Sequence, residues 1–243
     1  MAISIDTVYQ RVLALANKEQ RGYITPQQFN LFANQAQMDI FEQYFYDTNQ
    51  WYRSPGNETE FSNPLDILNE KISIFEVERD SDWVETNLGT NMILPEEVYR
   101  LGTVRKDNNP VEMLTTKEFN DSTLSYLTSP TVNRPIGCLV GRKLKINESS
   151  VGQGYSAQGV NAGSSNIDIS YIRKPNHVSW GYVVVGGNAM YDPTNTSNFE
   201  LHASDEGEIV NRITAFAGIS MQKQELFANI ASMESGRTQQ EKS

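Results

Sequence analysis

Histidine and cysteine, two residue types that often carry catalysis or bind metal, are scarce in this chain of 243 residues. His177 and His202 are its only histidines, and neither has neighbouring ligands at the spacing that a zinc site requires. The single cysteine, Cys138, lies in an apolar stretch, where a thiol is inert rather than nucleophilic. The sequence also lacks the Gly-x-Ser-x-Gly motif that presents a nucleophilic serine. We therefore predict no catalytic, metal-binding or cofactor-binding residues, and no enzymatic activity.

An acidic and aromatic cluster offers an alternative function. Three carboxylates surround Trp83 in the sequence: Asp80, Asp82 and Glu85. Paired carboxylates of this kind can hydrolyse a glycosidic bond. Three further rings are available to stack on a sugar: Trp51, Tyr52 and Trp180. A solvated acidic loop is the simpler interpretation, and a carbohydrate-binding or glycan-hydrolysing tail component is the alternative.

A glycine-rich segment superficially resembles a phosphate-binding loop. Gly152, Gln153 and Gly154 are followed by Gly159, but no Lys-Thr pair and no predicted helix comes after them. A nucleotide-binding loop needs both. Residues 149–165 are rich in Gly, Ser, Gln and Asn, and we predict that they form a mobile loop. The sequence thus predicts no bound cofactor.

The composition limits the classes of function. A net charge of −10 argues against a protein that reads nucleic-acid sequence, because such proteins need a basic surface over the phosphates. One cysteine allows no intrachain disulfide. The sequence has neither a signal-peptide pattern at its start nor an apolar run long enough to span a membrane. We predict a soluble protein of a reducing compartment, or of a particle assembled there.

The element that must organise the fold is a long helix over residues 25–47. Thr25 is a suitable N-cap, Pro26 suits the first helical position, and Gln28 completes a capping box. Nine apolar residues recur at helical spacing and cover most of the helix surface: Phe29, Leu31, Phe32, Ala36, Met38, Ile40, Phe41, Tyr44 and Phe45. We therefore expect a core helix whose partners come from both chain termini, or from another subunit.

The elements around this helix follow from the same kinds of signal. We predict helices over residues 4–17 and 205–233, and a short helix over 117–124 capped by Thr115 and Glu118. Strand-like patterns run from 71 to 172, including a strand marked by Ile72, Ile74 and Val77 with a bulge at Phe75, a strand or hairpin over 136–146, and an alternating strand over 167–172. A further short strand covers 182–185, and a turn-rich run follows it to 198. The tail from Glu234 is polar, and we expect it to be disordered.

These elements predict an α+β protein. Its helical bundle consists of the N-terminal helices, within residues 1–52, and of a long C-terminal helix with a flexible tail, within 201–243. An antiparallel β-rich domain is inserted between them at residues 53–200.

Five stretches carry a resemblance to a family of viral proteins. They are GYITPQQFN at 22–30, NQAQMDIF at 34–41, LPEEVYR at 94–100, ISYIRKP at 169–175 and FELH at 199–202. In these stretches, and in the order of its elements, the chain resembles the ring-forming head-to-tail adaptor (connector, or neck-ring) proteins of short-tailed bacteriophages, including the crAss-like type.

The resemblance implies a structural virion protein of the tail or neck, assembled in the host cytoplasm. Such a subunit forms a homo-oligomeric ring, commonly a dodecamer, that docks on the phage portal protein and binds downstream tail or neck proteins. DNA passes through the ring without specific binding, and the protein contacts no membrane. The acidic balance fits this expectation independently, because a negative ring repels DNA phosphates.

Overall fold

The computed structural model describes residues 3–17, 24–53, 63–79, 91–147 and 167–220. The chain divides into two compact units. The terminal unit contains Met1–Ile74 and Pro175–Ser243, and the central unit contains Phe75–Lys174. The sequence predicts that the central domain covers residues 53–200. The central unit is shorter than this prediction at both ends. The difference arises because residues 63–74 and 175–200 pack with the helices of the terminal unit.

The described residues form a mixed α+β protein, which confirms the class expected from the sequence. Its helices are α1 (Ile5–Asn17), α2 (Pro26–Arg53), α3 (Pro64–Ser73), α4 (Thr116–Leu124) and α5 (Glu206–Ser220). Its strands are β1 (Glu76–Arg79), β2 (Asn91–Ile93), β3 (Val98–Lys106), β4 (Asn109–Pro110), β5 (Glu112–Met113), β6 (Ile136–Val140), β7 (Lys143–Asn147), β8 (Ile167–Arg173), β9 (Tyr182–Val185) and β10 (Asn188–Tyr191).

The organising helix α2 begins as the sequence predicts. The Thr25 hydroxyl accepts a hydrogen bond from the Gln28 amide, and the Gln28 side chain accepts one from the Thr25 amide, each at 3.3 Å. The helix runs on to Arg53, six residues past the expected end at Asp47. It packs against α3 and α5, while α1 packs against α5. Leu31 is the exception on its apolar surface, because that side chain is exposed.

Helix α3 corrects one prediction. Ile72 was assigned to a strand with a bulge at Phe75, but Ile72 lies in α3 and the strand β1 begins only at Glu76. Asn63 caps α3 by accepting a hydrogen bond from the Leu65 amide at 3.2 Å, and Pro64 occupies the first helical turn. Proline is favourable at a helix start, so the Asn63-Pro64 pair begins a helix here.

The central unit contains two four-stranded sheets within its described residues. Their strand orders are β1-β8-β3-β4 and β2-β7-β6-β5. All pairs are antiparallel except β5 with β6, which is parallel and so departs from the antiparallel domain expected. One hydrophobic core joins both sheets, with Leu144 and Ile146 from β7 and Ile169 and Tyr171 from β8 among its members. The alternation predicted for β8 is therefore confirmed.

One local prediction in the central unit is also confirmed, because the Thr115–Glu118 capping box is present at the start of α4. Of the two alternatives left open for 136–146, one strand or a hairpin, the structure has the hairpin, over residues 136–147. Its turn contains Gly141 at φ 63°, a conformation that favours glycine. Helix α4 packs on β6, where Phe119 lies beside the buried Ile136 and Cys138.

Several sequence predictions concern residues outside the described ranges. These are the mobile loop at 149–165, the C-terminal part of the helix predicted to 233, and the tail from Glu234. Helix α5 itself begins at Glu206, after a short 3-10 turn over Ala203–Asp205.

Candidate functional site

A buried carboxylate at the start of α5 accepts hydrogen bonds from several elements of the terminal unit. Asp205 is fully buried. It accepts hydrogen bonds from the Tyr44 hydroxyl at 2.5 Å, the Lys71 ammonium at 2.7 Å and the Ser204 hydroxyl at 3.2 Å. The three donors come from α2, α3 and the residue before Asp205, so this one carboxylate joins three helices.

The arrangement around Asp205 is suited to structure rather than to acid–base catalysis. Burial, the hydrogen bond to Asp205 and the charge of Asp205 together raise the pKa of the Tyr44 hydroxyl far above its usual range, so Tyr44 stays protonated and donating. The carboxylate is paired and hydrogen-bonded, as a buried charge requires. Lys71 also lies 5.5 Å from the centre of the Tyr44 ring, which adds a cation–π contact.

Three amide side chains on α2 hold an extended segment against the helix. Asn30 and Asn34 each pair with one backbone residue of that segment, Asn30 with Trp180 and Asn34 with Val178. In each pair the amide oxygen accepts the backbone N–H and the amide nitrogen donates to the backbone carbonyl, at 2.8 to 3.3 Å across these bonds. Gln37 donates to the carbonyl of Asn176 at 2.8 Å. We call these three side chains the amide ladder.

The spacing of the amide ladder follows from the geometry of the helix and of the extended segment. Positions 30, 34 and 37 are neighbours along one face of a helix. Alternate residues of an extended segment point their backbone groups in the same direction, which matches the pairing with residues 178 and 180. The ladder therefore fixes the register of residues 176–180 on α2 through side-chain to backbone bonds.

The extended segment leads into a hairpin through an aromatic cluster. Trp180 is buried, its ring centre is 4.3 Å from that of Tyr9, and its indole N–H donates to Asp6 at 2.9 Å. Its ring centre also lies 6.0 Å from that of Tyr182 and 5.8 Å from that of Tyr191. These two tyrosines are opposite each other in the first pair of the β9–β10 hairpin. The base of the hairpin is thus anchored in the terminal unit.

Beyond this base, the hairpin is exposed and apolar. We call residues 182–191 the arm. Its sequence, YVVVGGNAMY, contains no charged residue. Val183, Val184, Val185 and Met190 are exposed by 51 to 63%. The turn contains Gly186 at φ 60° and Gly187 at φ 87°, which favour glycine and close the hairpin tightly.

The central unit carries a second exposed apolar surface. It lies on the connection between α4 and β6, and we call residues 124–132 the connection surface. Its large exposed side chains are Leu124, Tyr126, Leu127 and Val132. The sequence from 122 to 133 contains no charged residue. Soluble monomers rarely expose contiguous apolar surface without a use for it, so both surfaces are candidate interaction sites.

Comparison with known proteins adds no assignment. No family model and no curated protein matches this chain. Among the described residues, no group of three or more His, Cys, Asp or Glu side chains is placed to hold a metal ion. None of the helices in the described ranges has the length and apolar character needed to traverse a lipid bilayer.

Each of the chemically interesting residues singled out by sequence has its own local surroundings. His177 contacts the Asn34 side chain at 3.1 Å, whereas His202 contacts the Ser204 hydroxyl at 2.8 Å and caps the turn before α5. Cys138 is buried, and burial raises the pKa of its thiol. The acidic cluster at 80–85 and the glycine-rich segment at 152–159 lie outside the described residues.

The aromatic residues considered for sugar binding differ in their surroundings. Trp180 is only 3% exposed, so its ring faces are covered by protein. Trp51 and Tyr52 lie near the end of α2, where Tyr52 is exposed. The cluster that the structure does form, around Trp180, uses Tyr9, Tyr182 and Tyr191. It supports the arm.

Sequence reasoning missed both polar constellations of the terminal unit. The prediction from sequence gives the asparagines and glutamines of α2 no partner. Their spacing at 30, 34 and 37 was the signal for an amide ladder. Asp205 stands at the start of a helix predicted from sequence, and no local feature indicates that Lys71 and Tyr44 meet it.

Proposed function

We propose that this chain is a structural virion protein, a subunit of a ring that joins a phage portal to its tail and surrounds the DNA channel. The observation that carries the proposal is the arm, an anchored and charge-free apolar hairpin exposed beyond its base. An isolated two-stranded hairpin gains little stability in water. An exposed one of this composition is best explained by contact with another protein.

The proposed architecture assigns a role to each unit. The helices of the terminal unit form the bundle that docks on the portal, because packed helices hold geometry better than loops. The central unit is the inserted β-rich domain, and it faces further tail or neck proteins. The resemblance of residues 22–41 and 94–100 to head-to-tail adaptors supports this assignment, and we propose a dodecamer on the same ground.

The charge of the protein agrees with a conduit for DNA. Each copy carries a net charge of −10, so a ring of copies repels phosphate and lets DNA slide without binding. The same charge opposes ring closure in solution. We therefore expect assembly on the portal, or at a salt concentration that screens the repulsion.

Electron microscopy of the purified chain, alone and mixed with a portal ring, tests the proposal. We expect rings with the chain seated on the portal, and no retention of duplex DNA in a gel-shift assay at low salt. A chain that stays monomeric and ignores the portal would refute the assignment.

The absence of catalysis is part of the proposal and has its own test. The alternative is a carbohydrate-binding or glycan-hydrolysing tail component that uses the acidic cluster near Trp83. We expect no turnover when the purified chain is incubated with bacterial surface glycans. Turnover that Asp80→Asn or Asp82→Asn abolishes, with assembly unchanged, would establish the alternative.

A further inference from the structure

Beyond its base, the arm is exposed on both of its faces. In the hairpin register, Val184 is opposite Ala189 and Val183 is opposite Met190. Successive residues of a strand point to opposite faces, so the two pairs lie on different sides of the arm. Val184 is 63% exposed on one side, and Val183 and Met190 are more than half exposed on the other. The arm therefore offers a surface that nothing within the described residues covers.

The chemistry of the arm selects an apolar and uncharged partner. Its ten residues contain no charge, so it has no charged group to pair with phosphates, anionic lipids or a charged peptide. Burying a partner's charge against it would be costly, because an unpaired charge loses its hydration. The complementary surface must itself be free of charge.

The connection surface of the same chain meets this requirement. Leu127 is 94% exposed, and no charge lies between residues 122 and 133. The surface is held in shape locally, because the Ser125 hydroxyl accepts from the amides of Leu127 and Thr128 at 3.3 Å. The Asn109 side chain fixes its far end by donating to the carbonyl of Val132 at 3.2 Å.

From these two surfaces we infer that the arm of one copy packs on the connection surface of another copy of this chain. On a protein with a net charge of −10, these are two segments where copies can touch without bringing like charges together. The inference rests on the proposed ring function and names the contact that closes the ring.

The two surfaces differ, so the contact is heterologous. Each copy gives an arm to one neighbour and a connection surface to the other. Contacts of this type produce closed rings when the rotation between copies closes, and open filaments when it does not. A pair of identical surfaces would instead stop at a dimer. An arm of ten residues is small beside a standard interface, so a single contact is weak and closure supplies the stability.

Disulfide trapping between copies tests this contact directly. Val184→Cys is made in one batch of full-length chain and Leu127→Cys in another, and a tag distinguishes the two by mass. The native Cys138 is buried and does not compete. The batches are mixed and oxidised in about 1 M NaCl, where a Debye length of about 3 Å removes the repulsion between copies.

The expected result is a mixed dimer that exceeds either self-linked dimer by about tenfold, because the contact is heterologous. Leu31→Cys on α2 is the matched control, because Leu31 is 71% exposed but belongs to neither surface. Linkage of Val184→Cys to Leu31→Cys at the same level would overturn the inference.

Lysine variants give a second measurement that does not depend on cysteine chemistry. Val184→Lys and Leu127→Lys place an unpaired charge in the proposed contact, so each should weaken self-association in sedimentation by about tenfold or more. Leu31→Lys should change it less than about twofold. All three positions are exposed, and circular dichroism checks that each variant is folded.

The outcomes separate this inference from the proposed function. Rings that form on the portal without Val184-to-Leu127 linkage, and that tolerate both lysine variants, refute the contact and leave the ring. A chain that does not self-associate at high salt or on the portal refutes both.

Discussion

Replacing Asp205 by asparagine removes the charge that joins α2, α3 and α5. The asparagine keeps the shape of the side chain but leaves the Lys71 ammonium without its counter-ion, at the 2.7 Å position where the carboxylate stood. Breaking a buried ion pair from one side costs about 3–5 kcal/mol. The Lys71 side chain is 16% exposed and can recover some hydration, which places the expected loss near the lower end, about 3 kcal/mol.

A double-mutant cycle with Lys71→Met isolates the pair. Both single variants leave one unpaired partner, so the double variant should be more stable than the sum of the singles by about 2 kcal/mol. The matched control is the pair Arg11–Glu206, which joins α1 to α5 at 2.9 Å but is exposed by 55% and 29%. Arg11→Met with Glu206→Gln should show a coupling below about 1 kcal/mol.

Urea unfolding monitored by tryptophan fluorescence measures these losses. A Trp83→Phe background is used so that the two remaining tryptophans, Trp51 and Trp180, both report on the terminal unit. Salt provides a further distinction, because about 1 M NaCl should weaken the exposed control pair and leave the buried pair nearly unchanged. A loss below about 1 kcal/mol for Asp205→Asn would show that this carboxylate does not hold the helices together.

Three further predictions concern separate parts of the chain. Ile40→Ala should lower the free energy of unfolding by about 2–5 kcal/mol because Ile40 is buried on α2, whereas Leu31→Ala should change it by less than about 0.5 kcal/mol. Equal effects in urea unfolding would contradict the core assignment. Asn34→Leu should lower the free energy of unfolding by about 1–3 kcal/mol, because it leaves the backbone N–H and carbonyl of Val178 without these hydrogen bonds. Gln35→Leu, at an exposed position, is its control. Burial and the hydrogen bond to Glu97 raise the pKa of Tyr171 to about 12. Because the folded pKa exceeds the unfolded value of about 10, this stabilisation is complete below about pH 10 and is lost as the pH rises towards 12. Wild type should therefore lose about 2–3 kcal/mol over that interval relative to Tyr171→Phe, and parallel pH profiles for the two proteins would contradict the assignment.

Features set by neighbours in the sequence were predictable. The capping boxes at Thr25 and Thr115, the turn at Gly141 and the alternation of β8 all depend on residues within a few positions of one another. Their physical cause is local, because a cap satisfies the free amides of its own helix and a strand alternates by its own pleat. Some local signals have two meanings: an Asn-Pro pair can interrupt a chain or begin a helix, and the sequence alone did not predict the helix that Asn63-Pro64 begins.

The groups that hold the terminal unit together were not predictable. Asp205 meets Lys71 and Tyr44 across 134 and 161 residues, and Asn34 meets Val178 across 144. The sequence pattern of a carboxylate at a helix start is the same whether the carboxylate is solvated or buried. Only the packing of α3 and α5 on α2 places an ammonium and a hydroxyl against it, and burial then makes those partners obligatory.

The arm shows most clearly which features depend on local sequence and which depend on tertiary packing. By itself the sequence determined a strand at 182–185, because three consecutive valines favour extended backbone, and it determined a turn at the two glycines. It gave no way to tell a core strand from an exposed one, and it missed β10. The tertiary structure decided that the hairpin stands on Trp180 with its valines exposed, because burial depends on whether a distant part of the chain supplies a covering surface.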